Sequence, residues 1–303
     1  MQTLLLINLG ANLMLVLAIN LVTGLSGQLF LGYSGLMGIG AYTAVSLAHY
    51  YHLPPAVTIP AAGITAMAIG CAVFSQLTRL PSILMAVVSL IFVQVTASLL
   101  SIAPAPAFTA SIDAAQASTI LTVAMAITIA LEVFVCHLVE HSRFGRGLIA
   151  IREEEFLAEL LGINKIGYQV QALATGCLFA GLAGGYYAAF TGSYQAADWG
   201  LLRTLEIVAA AFMGGLGSRR GIFAGTVIIT LTSGFVPDTP YAQAIIAGVL
   251  ILLILLTVLL RPTGLQGSVN VQKLLQKAVG PCKRPGRENL YAASDDGQRN
   301  QKM

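Results

Sequence analysis

MQTLLLINLGANLMLVLAINLV, residues 1–22, decides the class of this protein, because it opens a stretch from Met1 to Thr78 that contains no Asp, Glu, Lys or Arg. The whole chain is 56% hydrophobic and 10% charged, whereas soluble proteins carry roughly 25% charged residues. A water-soluble surface cannot be built from that composition. The opening segment also lacks the basic flank of a secretory signal, so we expect a retained membrane helix in an all-α, polytopic integral membrane protein.

Apolar segments follow one another along most of the chain. A helix needs about 20 apolar residues to cross the bilayer core, and three of the segments (36–50, 204–216 and 221–236) are shorter and rich in Gly at their ends. They predict discontinuous helices, which lipid tolerates only where the irregular backbone is buried in protein or lines a cavity. We therefore expect eight to ten transmembrane helices. The segments lie at 4–23, 36–50, 55–78, 82–103, 118–138, 169–191, 204–216, 221–236 and 241–260.

The positions of the charges predict an orientation. If the loop 139–168 is cytoplasmic, alternation of the segments places all 16 Lys and Arg inside except Arg203, as the positive-inside rule requires. The side of the N-terminus stays open: it is outside if 24–35 is a simple inner turn, and inside if that stretch re-enters or crosses. We expect a multi-pass protein of the plasma membrane.

Composition also predicts the domain organisation. Residues 1–267 form the membrane domain, with the cytoplasmic loop 139–168, while 268–303 is polar, rich in Gly and Pro, and expected to be a disordered cytoplasmic tail.

The four cysteines show no CxxC spacing, so we expect no metal site. No GxxxxGK[ST], HExxH or GxSxG motif is present, so we expect no catalytic residue, no cofactor and no ATP hydrolysis by this chain. The small net positive charge comes mostly from the tail and does not indicate nucleic-acid binding.

The most informative polar stretch is HSRFGRGLIAIREEEFLAELLGINKIGYQ, residues 141–169. Its pattern predicts one helix over 148–161 that pairs Phe156 with Leu160 at i,i+4 and ends at Gly162 as a C-cap glycine. A helix resting on headgroups usually presents Lys and Arg, whereas this one presents Glu153, Glu154, Glu155 and Glu159. Docking into a protein groove is therefore favoured over contact with lipid.

This loop resembles the coupling segment of ATP-binding cassette (ABC) permeases of the branched-chain amino acid importer family. Further motifs resemble that family in the same order: GLSGQLFLGYSGLMGIGAYTA (24–44), AGLAGG (180–185), MGGLGSRRG (213–221) and RPTGLQG (261–267). The first of them is closer to the LivM type of subunit than to its partner type, LivH. One departure is the outer stretch 101–119, which lacks the Gly-Gly-x-x-Gly-Leu element usual in such proteins and leaves the solute open.

The resemblance implies an ABC importer permease fold that translocates amino acids, with branched-chain amino acids first. The implied partners are a second, LivH-like permease, two cytoplasmic ATPase subunits that bind the ATP, an external solute-binding protein and membrane lipid, in a bacterial inner membrane. A stand-alone secondary transporter or channel for a small polar solute such as urea or an amide is the alternative. The residues expected to couple to the ATPase are Gly145, Arg146, Ile151, Arg152, Glu153, Glu154, Glu155, Ala158, Glu159, Gly162 and Ile163.

The Gly-rich stretch 24–40 admits two interpretations. Its glycines either pack helices closely, with Gly35, Gly38 and Gly40 on one face, or break the helix and expose backbone groups to a pathway. Glu206 is a candidate pathway residue, although an i,i+3 pair with Arg203 is a simpler role. The candidate pathway residues are Gly27, Gln28, Ser34, Gly35, Gly38, Tyr42, Glu206, Gly214 and Gly215.

The stretch 24–35 shares a pattern of glycines and aromatics with 181–192. Such a pattern would arise from a transporter built of repeated halves. Chance similarity in a chain with 31 glycines is the competing interpretation.

Overall fold

The computed structural model describes residues 2–102, 114–192, 199–217, 219–234 and the single residue 248. The apolar segment 241–260, apart from Gly248, lies outside the described residues. The same holds for the motif at 261–267 and the tail 268–303, so the domain boundary at 267 stays a prediction.

The described residues form helices and connections, with no strand among them. The helix α1 continues directly into a π-helix at Asn20–Gly24, and a 3₁₀ turn at Leu77–Arg79 precedes α4. The helices are α1 (Gln2–Ile19), α2 (Tyr33–Tyr51), α3 (Pro55–Phe74), α4 (Ser82–Ile102), α5 (Ala114–His141), α6 (Arg143–Glu153), α7 (Glu155–Leu160), α8 (Lys165–Thr191), α9 (Leu201–Gly214) and α10 (Arg219–Gly234).

Length and apolarity confirm the membrane class. Five helical stretches are long and apolar enough to cross a bilayer: Leu5–Gly24, Pro55–Phe74, Ser82–Ile102, Thr119–His141 and Lys165–Thr191. The outer faces of α4 and α5 consist of large apolar side chains, such as Ile91 and Ile127, that are more than half exposed. Because large apolar side chains predominate on those faces, they are suited to lipid.

One predicted short segment is longer than expected. The stretch 36–50 belongs to α2, whose 19 residues begin at Tyr33, so its predicted shortness is wrong. The prediction missed Tyr33–Gly35 because the small and polar residues there lower the hydropathy without interrupting the helix. The helices α9 and α10, with 14 and 16 residues, are short as predicted.

The core forms around α1 and α8, and α2 packs directly on α8. A Cβ added to Gly40 would lie 2.4 Å from the Gly181 carbonyl, and one added to Gly184 would lie 2.0 Å from the Met37 carbonyl. Glycine at these positions lets the two backbones touch. Gly35 and Gly38 instead face α4, at Thr96 and Leu100, so the prediction that Gly40 lies on the same face as these two glycines is wrong.

The helices α9 and α10 form a hairpin that lies along α1. Its two arms are closely packed where Gly214 meets the backbone of Gly221. At the far end of the hairpin, Asn12 Nδ2 of α1 donates to Thr230 Oγ1 over 3.1 Å. The hairpin therefore follows α1 along most of its length without needing two full-length helices.

The two stretches with similar sequence have different structures. Residues 24–35 end one helix, are non-helical at 27–31 and start α2, whereas 181–191 continue α8 as an unbroken helix. The glycines in the second stretch serve helix packing, while those in the first surround a helix break. The two stretches are therefore not a repeated structural unit.

Candidate functional site

The connecting segment, Ser142–Asn164, begins with a helix that is anchored to the membrane bundle. Ser142 caps α6, its Oγ accepting a hydrogen bond from Gly145 N over 3.1 Å. Leu148 is fully buried and Ile151 is 5% exposed, while the ring of Phe144 stacks on Tyr168 of α8 with centroids 5.2 Å apart. The inner face of α6 is therefore part of the core.

The second half of the connecting segment turns its apolar residues outward. The predicted single helix over 148–161 is wrong, because the chain is extended at Glu154 (φ −151°, ψ 97°) and α7 starts anew at Glu155. Glutamates are unfavourable at the negative, C-terminal end of the α6 dipole, whereas Glu155 is favourable in the first turn of α7, at the positive end of the α7 dipole. The break at Glu154 therefore places Glu155 at a favourable helix end.

This arrangement leaves an apolar patch on a polar segment. Phe156, Leu160 and Leu161 are 70%, 68% and 78% exposed, and we call them the docking face. Glu153 and Glu159 are exposed beside it. A patch of large apolar side chains rimmed by charges is typical of a protein interaction site.

A glycine cap fixes the end of the segment, as predicted. Gly162 has φ +79°, Gly162 N donates to the Glu159 carbonyl (2.9 Å) and Ile163 N donates to the Ala158 carbonyl (3.1 Å). These two bonds make a Schellman motif. Asn164 then caps α8, its Oδ1 accepting from Gly167 N over 3.2 Å, so the direction of the chain is set on both sides of the turn.

A break between α1 and α2 lies at the same end of the bundle. Residues 27–31 are not helical, and two of their backbone amides bond to hydroxyl groups of α4. Leu29 N donates to Ser82 Oγ (2.8 Å) and Leu31 N donates to Ser89 Oγ (3.1 Å). Irregular backbone within a membrane protein needs such partners, and the break is thereby stable without helical hydrogen bonds.

Gln28 joins the break to two further elements. Its Nε2 donates to the Thr78 carbonyl (3.1 Å) and to Gln169 Oε1 of α8 (3.0 Å). Its own Oε1 is buried without a hydrogen-bond partner. Gln28 thus links the break to the 3₁₀ turn and to α8 through a buried side chain.

Arg152 connects the α6 helix to the break. Its guanidinium donates to the carbonyl of Gly24, the last residue of the π-helix. A Cβ on Gly27, whose φ is +73°, would lie 2.9 Å from Arg152 Cγ. The side chain of Arg152 therefore extends toward the membrane bundle, away from the docking face.

The turn between α9 and α10 reaches the same place. Asn20 Oδ1 accepts a hydrogen bond from Gly217 N over 2.7 Å, and Gly215 and Gly217 have φ of +88° and +92°. Three glycine-containing motifs, distant in sequence, therefore meet at one point. We call this set the junction: Asn20, Gly24, Gly27, Arg152 and Gly217.

The other candidate pathway residues lie along α2 and α9. The hydroxyls of Ser34 and Thr204 share a hydrogen bond of 2.6 Å. Trp199, which is 1% exposed, packs on Gly38 and makes an edge contact with Tyr187 at 5.2 Å. The structure therefore brings Ser34 and Gly38 near α9, whereas Gly27 and Gln28 lie at the break and Gly214 and Gly215 at the hairpin turn.

Glu206 lies in a polar cluster with Arg203. The two side chains are 3.8 Å apart and about one-seventh exposed, which confirms the i,i+3 pair. Arg203 also contacts Asn8 at 3.5 Å and lies 5.8 Å from the centre of the Tyr187 ring. This arrangement accounts for both charges without a role in transport.

Comparisons with known proteins identify the family. Residues 3–259 match the family described as the permease component of the branched-chain amino acid transport system. The chain belongs to this permease family.

Several members of the family are similar in sequence to this permease. It is 26% identical over 262 residues to the high-affinity branched-chain amino acid transport system permease protein LivM of Salmonella typhimurium, covering 75% of this chain and 61% of LivM. It is 31% identical over 171 residues to LivH of Escherichia coli, covering 55% and 52%. It is 29% identical over 139 residues to BraD of Pseudomonas aeruginosa, covering 45% and 44%.

The permease thus matches about three fifths of the length of LivM. No solved structure matches the permease.

Sequence reasoning missed several residues that build the site of this permease. Asn20, Gln169 and Thr204 were not singled out, although each is a polar residue inside or beside an apolar run, where polar side chains are costly unless bonded. Ser82 and Ser89 gave no signal, because a hydroxyl on a membrane helix often bonds to its own backbone. Only the fold shows that they bond to the break.

Two other features do not belong to the site. A groove of about 670 Å³ between α3, α5 and α8 is lined almost wholly by apolar side chains such as Ile59 and Leu182, so it offers a zwitterion no partner. His137, Glu140 and His141 have potential ligand atoms within 4.8 Å of one another on the last turn of α5. They lie at the protein surface, and we assign no metal to them.

Proposed function

We propose that this permease is a transmembrane subunit of an ATP-driven importer for amino acids, with branched-chain amino acids as the first substrates to test. The proposal rests on membership of the permease family, on the relatives LivM and LivH, and on the docking face. The importer would lie in a bacterial inner membrane. Its ATP would be bound and hydrolysed by separate ATPase subunits.

The docking face is the observation that carries the proposal. Phe156, Leu160 and Leu161 would be exposed to water on an isolated chain, at a cost of roughly 1.5–3 kcal/mol for each side chain that could otherwise be buried. Anionic lipid would repel the neighbouring glutamates. A protein groove that is apolar at its centre and basic at its rim suits both features, and we propose that the ATPase subunit supplies it.

The number of subunits that we propose follows from the presence of one connecting segment in each permease. One connecting segment occupies one groove, so a pair of ATPase subunits needs a second permease with its own segment. We propose a LivH-like chain in that place. An external solute-binding protein would deliver the amino acid to the opposite side of the membrane.

The mechanism we propose is alternating access. ATP closes the ATPase pair and moves the docking face, and α6 carries this movement into the bundle because its inner face is part of the core. The helix break at the junction would then shift against α4 and α8. An amino acid could pass such a site through neutral groups such as the amide of Gln28 and the hydroxyl of Ser34, which bond to ammonium and carboxylate without holding a fixed charge.

Purification of the tagged permease from its own host tests the proposal. Wild type should retain ATPase subunits in mild detergent, whereas a Phe156→Ser/Leu161→Ser variant should lose most of them. The matched control is Tyr50→Ser/Tyr51→Ser, which changes two equally exposed residues, 64% and 71%, at the other end of α2. Absence of any ATPase from the wild-type preparation, or equal retention by both variants, would overturn the proposal.

A further inference from the structure

Among the described side chains of the connecting segment, that of Arg152 hydrogen-bonds to the helix break. Arg152 lies in the last turn of α6, one residue before the glutamates that rim the docking face. Its backbone therefore belongs to the outer, ATPase-facing part of the permease, while its guanidinium lies against Gly24 in the bundle. No other described side chain of α6 or α7 makes a hydrogen bond to residues 20–32.

The bonded carbonyl belongs to a helix end that needs a partner. The last carbonyls of a helix have no intrahelical donor, and Gly24 ends the π-helix Asn20–Gly24. A guanidinium satisfies the carbonyl and also matches the negative end of the helix dipole. π-helical turns occur often at functional sites, and the contact lies at the end of such a turn.

Close packing between Gly27 and Arg152 fixes the position of the arginine side chain at the break. A Cβ on Gly27 would lie 2.9 Å from Cγ and 3.5 Å from Cβ of Arg152, so the stem of the arginine fills the space beside the break. A shift of α6 must therefore either move residues 24–27 or break the hydrogen bond. The same residues are joined to the α9–α10 turn through Asn20 and Gly217, which would carry the shift further.

We propose that Arg152 is the positioning residue that transmits movement of the connecting segment to the helix break, and that it is not a contact to the ATPase. The inference rests on the proposed function and deepens it. The docking face and Arg152 then have separate roles. The docking face binds the ATPase, and Arg152 makes the helix break move together with the connecting segment.

The test uses the complete importer in proteoliposomes, with its ATPase subunits, its binding protein and radiolabelled leucine. Uptake per ATP hydrolysed should fall by about fivefold or more in Arg152→Gln, the lower end of the range for an energetic coupling between two sites, while ATPase copurification stays at the wild-type level. Arg152→Lys should restore part of the ratio. Arg143→Gln is the matched control, since Arg143 is an exposed arginine of the same helix and lies outside the predicted coupling residues.

A second pair of variants keeps the test decisive if Arg152→Gln does not fold. Gly27→Ala places a Cβ against the Arg152 stem, whereas Gly192→Ala introduces an alanine at a comparable φ of +64° with nothing within 4 Å. Only Gly27→Ala should uncouple hydrolysis from uptake.

The outcomes separate the two proposals. A wild-type permease that never binds an ATPase overturns the importer function itself. A wild-type importer that works, with the same uptake per ATP in Arg152→Gln as in Arg143→Gln, leaves the function standing and overturns the role of Arg152. Loss of ATPase binding in Arg152→Gln also overturns that role, because it would make Arg152 a docking residue.

Discussion

At the scale of single residues, the glycines with positive φ are needed for two different reasons. One is a backbone conformation that strains other residues, and the other is a lack of space for a Cβ. Gly162 and Gly192 have open space around an added Cβ, whereas Gly27 does not. A non-glycine residue in the left-handed region costs roughly 1–2 kcal/mol even where space is free. Gly162 is therefore retained for its backbone conformation, and Gly27 for both reasons.

Gly162→Val should weaken the coupling between hydrolysis and uptake, because a β-branched residue disfavours the Schellman turn that fixes α7 against α8. We expect the uptake per ATP hydrolysed to fall while ATPase binding persists, measured in proteoliposomes. Gly167→Val, in the first turn of α8 with ordinary backbone angles, serves as the control. Normal coupling in Gly162→Val would contradict the view that the connecting segment transmits movement of the docking face to the bundle.

The buried hydrogen bond between Ser34 and Thr204 predicts non-additive stability. Ser34→Ala and Thr204→Val should each lower the thermal stability in detergent, and the double variant should lose less than the sum. An interaction energy of about 0.6–1.7 kcal/mol is expected for side-chain hydrogen bonds between membrane helices. Additive losses would mean that the 2.6 Å contact contributes nothing to stability.

At the scale of elements, the connecting segment consists of two helices with different environments. The first, α6, buries Leu148 and Ile151, and the second, α7, exposes Phe156 and Leu160. A single straight helix would fix the angle between these faces by its 3.6-residue period. The extended residue Glu154 removes that constraint, so the core-facing and partner-facing residues can be set independently.

The acidic rim of the docking face should determine how well the ATPase binds. Glu153→Lys/Glu159→Lys should reduce ATPase capture in pull-downs and uncouple hydrolysis from uptake, since like charges would then face the basic rim we propose. Asp295→Lys/Asp296→Lys makes the same change of charge in the tail and should leave capture intact. Equal capture by the two variants would indicate that charge plays no part in docking.

The close approach of α2 and α8 predicts a steep stability loss on adding a methyl group. Gly184→Ala should prevent normal assembly, because its Cβ would lie 2.0 Å from a backbone carbonyl, which cannot rotate away. Gly63→Ala should be milder, since its nearest neighbour is the Leu182 side chain at 2.9 Å. Thermal melting of both variants in detergent, or their yield of monodisperse protein, distinguishes these cases.

At the scale of the whole molecule, the contacts show which described segments share one end of the helix bundle. The break at 24–31, the 3₁₀ turn at Leu77–Arg79 and the connecting segment lie together, because Gln28 bonds to Thr78 and Arg152 bonds to Gly24. These contacts favour the inner-turn interpretation of 24–35, which places the N-terminus on the opposite side. Tyr50 and Tyr51 lie at that opposite end of α2.

Cysteine labelling in intact cells tests this topology. In cells without the ATPase subunits, a membrane-impermeant maleimide should label Tyr51→Cys directly and Leu161→Cys only after permeabilisation, in a background without Cys71, Cys136, Cys177 and Cys282. Both positions are highly exposed, 71% and 78%, so accessibility differs only by side. Labelling of Leu161→Cys in intact cells would reverse the orientation and remove the basis for an ATPase partner.

The sequence by itself determined what depends on composition and on neighbours along the chain. The absence of charge before Arg79 required a membrane environment, the Gly162 cap followed from the turn chemistry of one segment, and the Arg203–Glu206 pair followed from i,i+3 spacing. The prediction of one helix over 148–161 was wrong because local propensity does not report which face a distant core will bury.

The tertiary structure alone decided which residues meet. Gly24 and Arg152 are 128 positions apart, Gln28 and Gln169 are 141 apart, and Asn20 and Gly217 are 197 apart. A helix period fixes the direction of a side chain relative to its own neighbours only. Where two helices cross depends on the packing of all of them, so the junction, the central feature of this permease, emerges from the fold and not from any one motif.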